Sequence, residues 1–422
     1  MRILHTSDWH LGRSFHRVGM LDAQARYVDH LVATVRAERI DLVVVAGDVY
    51  DRALPGVDVV ALLDDALARL ADTAAAVLLT SGNHDSARRL GFGARLIARS
   101  GVHVRTDPAR CAEPVLLEDE HGPVAVYGLP YLEPAVVADG LGVQRSHSAV
   151  LGRTLDAVRA DLAGRGGARS VLAAHAFVVG GEGSDSERDI SVGGVASVPA
   201  RIFDGIGYVA LGHLHRPQQL SETVRYSGSP LAYSFSEAGQ TKLSWLVELG
   251  PDGVTSVEPV PVPVPRPLAV LSGELEGLLA DPALAHAEGA WCQVTLSDAE
   301  RPRDAMRRLR SRFPHTVELR FAPAGALVTS RAGGYAAKLR DRTDLDVCCD
   351  FLAHVRGRTA AEPELKLLRR AWDDVRRVEP EELGAAAARA DDLFAGPDRD
   401  TLFDLPEIDL PEIDQRRLEA AG

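Results

Sequence analysis

The sequence predicts an α/β protein: a β-sandwich flanked by helices, then a small α/β domain, then a C-terminal helical segment. Three observations lead there. Apolar runs of strand length alternate with amphipathic stretches through residues 1–258, a proline-rich stretch interrupts the chain at 259–267, and a short α/β pattern beyond it gives way to charged helical sequence. A chain of 422 residues with 46% hydrophobic content can build two or three domains around sizeable cores.

Taken in order, Arg2–His5 is the first strand, and Asp22–Ile40 carries Tyr27, Leu31, Val32 and Val35 near helical spacing, so it is a helix packed on a sheet. Leu42–Val45 is a continuous β-branched apolar run, which suits an interior strand covered on both faces. Val57–Leu70, Ser86–Arg99 and Ala149–Leu162 read as further covering helices. Ala76–Leu79, Val171–Ala174 and Tyr208–Leu211 read as strands, and Thr223–Tyr226 with Lys242–Leu249 as strands of a second sheet. In Glu258–Pro267, EPVPVPVPRP, near-alternate prolines remove ladder donors, so the expectation is a semi-rigid connector rather than a strand.

Residues 268–330 follow as strands at Leu268–Leu271, Trp291–Leu296 and Thr316–Phe321 with helices at Glu274–Ala280 and Pro302–Arg312. In the second helix Met306, Leu309 and Phe313 make a core stripe, while Arg303, Arg307 and Arg310 share another face. Residues 331–380 are helical and charged. Leu345–Val355 and Glu362–Val378, with Leu365, Leu368, Trp372 and Val375, form an amphipathic pair too small to bury a core, the kind that docks on a partner groove. Residues 381–422, rich in Ala and acidic side chains with a repeated LPEID at Leu405–Asp414, read as disordered.

The chemistry lies where the strands stop. The first leads into SDWH, with Asp8 and His10; Leu42–Val45 leads into AGDVYD, with Asp48 and Asp51; Ala76–Leu79 leads into SGNHD, with Asn83, His84 and Asp85. Val171–Ala174 ends at His175, and Tyr208–Leu211 ends in GHLH, with His213 and His215. Any one such residue is more often a hydrogen-bonded structural histidine, a turn or a helix cap. Five endings together are expected at one carboxyl edge of a sheet, where open α/β folds carry their sites. Imidazole, carboxylate and amide donors without thiolate suit Mn, Fe or Zn. Seven candidate ligands are too many for one tetrahedral ion, and a pair of ions needs a bridging carboxylate, for which Asp48 on a central strand is the natural choice.

The series DWH, GDVYD, GNHD, a strand-end His and GHLH resembles the calcineurin-like metallophosphoesterase superfamily. SERDISVGGVASVPARIFDGIGYVALGHLHRPQ at Ser186–Gln218 and YGLPYLEP at Tyr127–Pro134 resemble its SbcD-type nuclease subunits. The resemblance implies a metallophosphoesterase sandwich at 1–258, a capping, DNA-contacting domain at 268–330 and a partner-docking segment at 331–380. It implies one divalent ion at Asp8, His10 and His215 and another at Asn83, His175 and His213, with Asp48 shared and manganese as the metal. It further implies phosphodiester hydrolysis, with His84 stabilising or protonating the leaving oxygen, for which an imidazole of ordinary pKa is suited, and Asp51 and Asp85 orienting His84 or a ligand imidazole. The implied partners are DNA, as double-stranded ends and hairpins, and an SbcC-type coiled-coil ATPase bound by the C-terminal helical segment. Helices after the second and third motifs would make a homodimer within a heterotetramer. A phosphatase or cyclic-nucleotide phosphodiesterase on the same scaffold is the alternative enzyme, and a DNA-binding scaffold with a dead site is the alternative outside enzymology.

Bulk properties narrow the field. A net charge of −13 argues against a uniformly basic nucleic-acid-coating protein, though a local basic face or bound ions still engage phosphates. Cys111, Cys292, Cys348 and Cys349 have neither disulfide-scaffold nor zinc-finger spacing and fit a reducing compartment. The chain opens on a strand and has no apolar run of about 20 residues, so the expectation is a soluble cytoplasmic protein without a membrane partner. None of the three lysines, Lys242, Lys338 and Lys366, completes a GxxxxGK[ST] loop, so ATP use is expected in a partner.

Overall fold

Two six-stranded sheets stack face to face, and the reason is visible in their strands: apolar runs whose alternate side chains enter either the inter-sheet layer or the layer beneath a helix. A computed structural model describes residues 1–187, 197–323, 349 and 361–377, with side chains of the last stretch described as far as 370. The elements begin with β1 (Arg2–Thr6), a hairpin of β2 (Ser14–Phe15) and β3 (Val18–Gly19), α1 (Leu21–Ala37), β4 (Leu42–Ala46), α2 (Val57–Ala71) and β5 (Ala76–Thr80). Next come α3 (Ala87–Leu90), α4 (Ala94–Ile97), β6 (Val102–Arg105), β7 (Val115–Asp119), β8 (Gly122–Gly128), α5 (Pro134–Leu141), α6 (His147–Ala163) and β9 (Arg169–His175). Then follow β10 (Tyr208–Gly212), β11 (Gln218–Gln219), β12 (Val224–Tyr226), β13 (Leu243–Gly250) and β14 (Gly253–Pro261).

The first sheet runs β14-β13-β1-β4-β5-β6 and the second β11-β12-β10-β9-β8-β7. In each, four strands are parallel, β1, β4, β5 and β6 in one and β8, β9, β10 and β12 in the other. Ile3, Leu42, Val44 and Leu78 of the first sheet meet Val124, Val126, Val171 and Tyr208 of the second. Outside, Tyr27, Leu31 and Val35 of α1 and Leu63, Ala66 and Leu70 of α2 cover one sheet, and Ala138 of α5 with Val150, Leu155 and Val158 of α6 covers the other.

Four expectations are corrected. The five functional strand ends do not share one sheet edge: β1, β4 and β5 belong to the first sheet, β9 and β10 to the second, and stacking brings the two carboxyl edges together. The strand at Lys242–Leu249 joins the first sheet, antiparallel to β1, because sequence alone does not fix which edge a non-local strand finds. Ser86–Arg99 is two four-residue helices either side of Gly91–Gly93 rather than one helix. The proline stretch is a strand as far as Pro261, because β14 is an edge strand. Pro259 and Pro261 alternate with Val260 and Val262, and Val262 N donates to Lys242 O at 2.9 Å, so the prolines fall where an N–H would face outward.

Beyond it, β15 (Leu268–Gly273), α7 (Leu275–Ala280), β16 (Trp291–Leu296), α8 (Ala305–Arg312) and β17 (Thr316–Phe321) make a three-stranded parallel sheet with its own core of Leu271, Leu278, Val294, Leu309 and Phe313. Helix α8 starts at Ala305 rather than Pro302, because Asp304 takes a left-handed φ of 53°. This sheet is seated on the sandwich through Leu268, Trp291 and Val317, which pack on Phe15, Met20 and Phe235.

A separate unit, Leu327–Gly422, contains α9 (Glu362–Arg377). Leu365 and Leu368 are half-buried there, and Leu367 is exposed. The expected helix at Leu345–Val355, the tail at 381–422 and the side chains of Trp372 and Val375 lie outside the described residues. No described helix is long and apolar enough to cross a membrane, and Cys111, Cys292 and Cys349 are free thiols.

Candidate metal centre

The loop after β1 lies along the loop after β4, with Asp8 N donating to Gly47 O and His10 N to Asp48 O, both at 3.0 Å. This zipper forces unusual backbone. Asp8, His10, Asp48 and His213 have φ of 52°, 45°, 48° and 105°, conformations that non-glycine residues hold only where the surroundings impose them. Gly47, at φ 83°, turns the chain after β4, and a Cβ there would lie 2.3 Å from His175 Nδ1. Gly212 permits the closest approach of the two sheets, since a Cβ would stand 1.8 Å from Ala46 O.

The seven side chains read from the sequence as metal ligands converge. Asp48 Oδ2 stands 3.6 Å from His10 Nε2 and 3.4 Å from His175 Nε2, while its Oδ1 accepts from His84 N at 2.9 Å. On one side, His10 Nε2 and His215 Nε2 are 3.0 Å apart, and Asp8, His10 and His215 form one cluster of donor atoms within 4.8 Å. On the other, Asn83 Oδ1 lies 2.9 Å from His175 Nε2 and 3.3 Å from His213 Nδ1. Asp8, Asp48 and His175 form a second compact cluster, and His10, Asp48 and His84 a third.

Electrostatics favour cations here. Burial pushes Asp8 up to about 7. For Asp48 burial is again the largest single influence and acts in the same direction, but the charge and hydrogen bond of His175 together with the His10 and His84 charges outweigh it and hold the carboxyl well below the usual range. His175 is the converse: burial opposes its charge, and Asp48 nonetheless raises it to about 9. His10 and His213 are lowered, chiefly by burial. The Asp48 carboxylate is thus paired with the His175 imidazolium, burial opposes a charge on Asp8, and two imidazole nitrogens face each other at 3.0 Å. This all-N/O donor set, sharing one carboxylate between two lobes, fits a pair of divalent ions.

The remaining candidates differ. His84 Nδ1 is 2.8 Å from the Asp51 carbonyl, which can only accept, so Nδ1 carries the proton. Asp51 Oδ1 lies 3.6 Å from His10 Nδ1 and 3.9 Å from His84 Nδ1, beside both imidazoles. Asp85 corrects its expected role. Its carboxylate accepts from Val49 N, Tyr50 N and Gly82 N at 3.0, 2.8 and 2.9 Å, tying the second and third motif loops together rather than orienting an imidazole.

Sequence reasoning missed the supports of His215. Ser186, Glu187, Glu237 and Lys242 surround it, and only the scarcity of lysine in the chain marks one of them.

With this geometry in place the class follows: the chain belongs to the calcineurin-like phosphoesterase family, whose model matches residues 1–217, and the family is metal-dependent. A second model, that of the SbcD C-terminal domain, described as the Type 5 capsule protein repressor C-terminal domain, matches residues 264–356. The two together make this a metallophosphoesterase of the SbcD nuclease-subunit type. Among solved structures, TT1561 of Thermus thermophilus is 12% identical with a TM-score of 0.37, over 62% of this chain and 99% of that one. A dimetal phosphatase from Danio rerio is 15% identical with a TM-score of 0.38, over 62% and 99%. Calcineurin-like phosphoesterase YfkN from Bacillus subtilis is 14% identical with a TM-score of 0.33, over 62% and 90%.

Proposed function

We propose that this chain is the nuclease subunit of an SbcCD-type complex, hydrolysing DNA phosphodiester bonds with two manganese ions. Its activities would be an ATP-dependent double-strand exonuclease and a single-strand and hairpin endonuclease, in cytoplasmic recombination, replication and repair. The observation that carries the reading is the Asp48 carboxylate set between His10 and His175, in a chain that also matches the SbcD C-terminal model.

Asp8, His10 and His215 would hold one ion, Asn83, His175 and His213 the other, and Asp48 both. When bound, the pair supplies Lewis-acid activation of a water and neutralises phosphate charge. The protein's own part is positional. Asp85 locks two ligand loops through backbone N–H groups, Asp51 orients His10, and His84, its Nδ1 proton held by the Asp51 carbonyl, offers Nε2 for proton transfer to the leaving oxygen.

Further features support the partners. Of the expected trio, Arg307 and Arg310 but not Arg303 line one groove of the capping sheet, together with Arg301 and with Asp304, which pairs with Arg307; this groove would be the phosphate-contact surface for DNA. Leu54, Val57, Phe92 and Leu96, on and around α2 to α4, are 70%, 85%, 88% and 69% exposed, apolar side chains that a homodimer contact would cover. Helix α9 and the segment around it, 331–380, would dock the coiled-coil ATPase, completing a heterotetramer.

The test is cleavage of linear and hairpin double-stranded DNA in Mn²⁺, in Mg²⁺ and in chelator, with Asp48→Ala and His84→Ala proteins alongside. Cutting in Mn²⁺ that vanishes in chelator and in Asp48→Ala is expected. Intact DNA even with the ATPase partner and ATP, together with hydrolysis of a small phosphodiester, would replace the nuclease reading by a phosphodiesterase one.

A further inference from the structure

We propose that Ser186, Glu237 and Lys242 are positioning residues for His215, fixing its imidazole with the proton on Nδ1 and Nε2 turned toward Asp8 and His10. The role in ion binding rests on the two-ion reading above; the proton placement does not.

His215 is held at three atoms. Its backbone N donates to Glu187 Oε1 at 2.7 Å, its carbonyl accepts from Lys242 Nζ at 2.8 Å, and its Nδ1 lies 2.6 Å from Ser186 Oγ. Only Nε2 is left for the cluster, 3.0 Å from His10 Nε2. The proton inventory then decides the tautomer. A serine hydroxyl has one hydrogen, and that of Ser186 goes to Glu237 Oε1 at 2.7 Å, since a carboxylate facing a lysine ammonium accepts only. Ser184 Oγ also lies 2.8 Å from Ser186 Oγ, but its own hydrogen goes to the Glu187 carboxylate, at 2.8 Å from Oε2, and whichever oxygen the Ser186 hydrogen serves, the lone pairs of Ser186 Oγ face His215 Nδ1. Ser186 Oγ therefore accepts from His215, which places the imidazole proton on Nδ1 and the lone pair on Nε2.

Lys242 closes the relay from the far side, donating to Glu237 Oε2 and to Ser229 Oγ as well as to the His215 carbonyl. The burial is complete: His215 and Glu237 are 1% exposed and Lys242 2%. A buried ion pair brings little net stability over an apolar pair of the same shape, so placing one of three lysines here gains its sense from what the pair orients.

The test uses the full-length, metal-free protein labelled with ¹⁵N-histidine, His215 being assigned by its loss in His215→Gln. Long-range ¹⁵N–¹H correlation should show Nδ1–H for His215 in the parent protein and a shift toward Nε2–H in Ser186→Ala, restored by Ser186→Thr. Calorimetric titration with Mn²⁺ should show one ion bound about 10- to 100-fold more weakly in Ser186→Ala and the other little changed. Glu237→Gln/Lys242→Met, which removes both charges together, should behave likewise if Ser186→Ala does not fold. An Nε2–H tautomer in the parent protein, or folded variants with unchanged tautomer and Mn²⁺ affinity, would overturn the proposal. A parent protein that takes up no divalent ion would sink the two-ion reading instead, and the tautomer spectra would still decide the placement of the proton.

Discussion

The two lobes of the metal centre are held by different means. Around Asp8, His10 and His215 the supports are side chains: Ser7 Oγ on Asp8 at 2.5 Å, Asp51 beside His10, and the Ser186–Glu237–Lys242 relay behind His215. In the other lobe His175 is held by backbone: its Nδ1 donates to Ala46 O at 3.1 Å, and the β4 turn closes on it through Gly47. A backbone-held ligand is altered only by changing the ligand or bending the chain. A side-chain-held ligand can be tuned by a neighbour that touches no substrate.

The comparison predicts its own breaking points. Asp48 belongs to both lobes, so Asp48→Ala should abolish it altogether. Loss of several kcal/mol of charge stabilisation corresponds to on the order of 10³-fold or more in phosphodiester hydrolysis, and titration with Mn²⁺ should no longer show two sites. Retention of two tight sites would deny Asp48 its bridging place. Gly47→Ala should damage the backbone-held lobe first. The new Cβ meets His175 and the left-handed φ adds about 1–3 kcal/mol of strain, so a lowered melting temperature and selective loss of one ion are expected. A variant losing both ions equally would show that the lobes are not independently supported.

Beneath both lobes, His5 bridges the sheets, its Nδ1 3.0 Å from Tyr208 Oη and its Nε2 3.2 Å from Leu211 O. Burial lowers its pKa from 6.5 to about 3. Between those values the unfolded chain binds a proton that the folded chain refuses, so stability is lost as pH falls through this window, by at most about 1.4 kcal/mol per pH unit from this residue. Denaturant midpoints of the metal-free protein from pH 7 to pH 4 should fall less steeply in His5→Gln. An unchanged slope would mean that the common floor plays no part in acid sensitivity.

How much of this is legible in the sequence differs between the lobes for the same physical reason. All seven candidate ligands were readable because each polar side chain ends an apolar run, a local signal. The supports of His215 were not, because Glu237 and Lys242 lie on a stretch without a motif and reach it only through the packing of β13 against β1. Asp85 illustrates the remaining limit: a carboxylate beside His84 reads the same whether it faces an imidazole or three backbone N–H groups. Likewise the strand at 243–250 was visible, but its sheet was not, since edge pairing is a non-local choice.

The smallest expected effect sharpens the comparison most, because it acts from a distance. Glu237 sits on the turn Phe235–Glu237, and Phe235 packs on Phe15 at 5.0 Å, which in turn meets Trp291 of the capping sheet at 5.2 Å. A cavity of about 180 Å³ lined by Glu237, Lys242, Leu268 and Trp291 leaves this seat loosely filled. Trp291→Ala should therefore loosen the turn and weaken Mn²⁺ in the side-chain-held lobe by up to about tenfold, while the lobe at His175, which is held by the Ala46 carbonyl, keeps its affinity. Equal weakening at both ions would mean that the capping sheet acts on the sandwich as a whole. No weakening would mean that Lys242, Tyr233 N and Ser186 Oγ suffice to hold Glu237, whatever the capping sheet does.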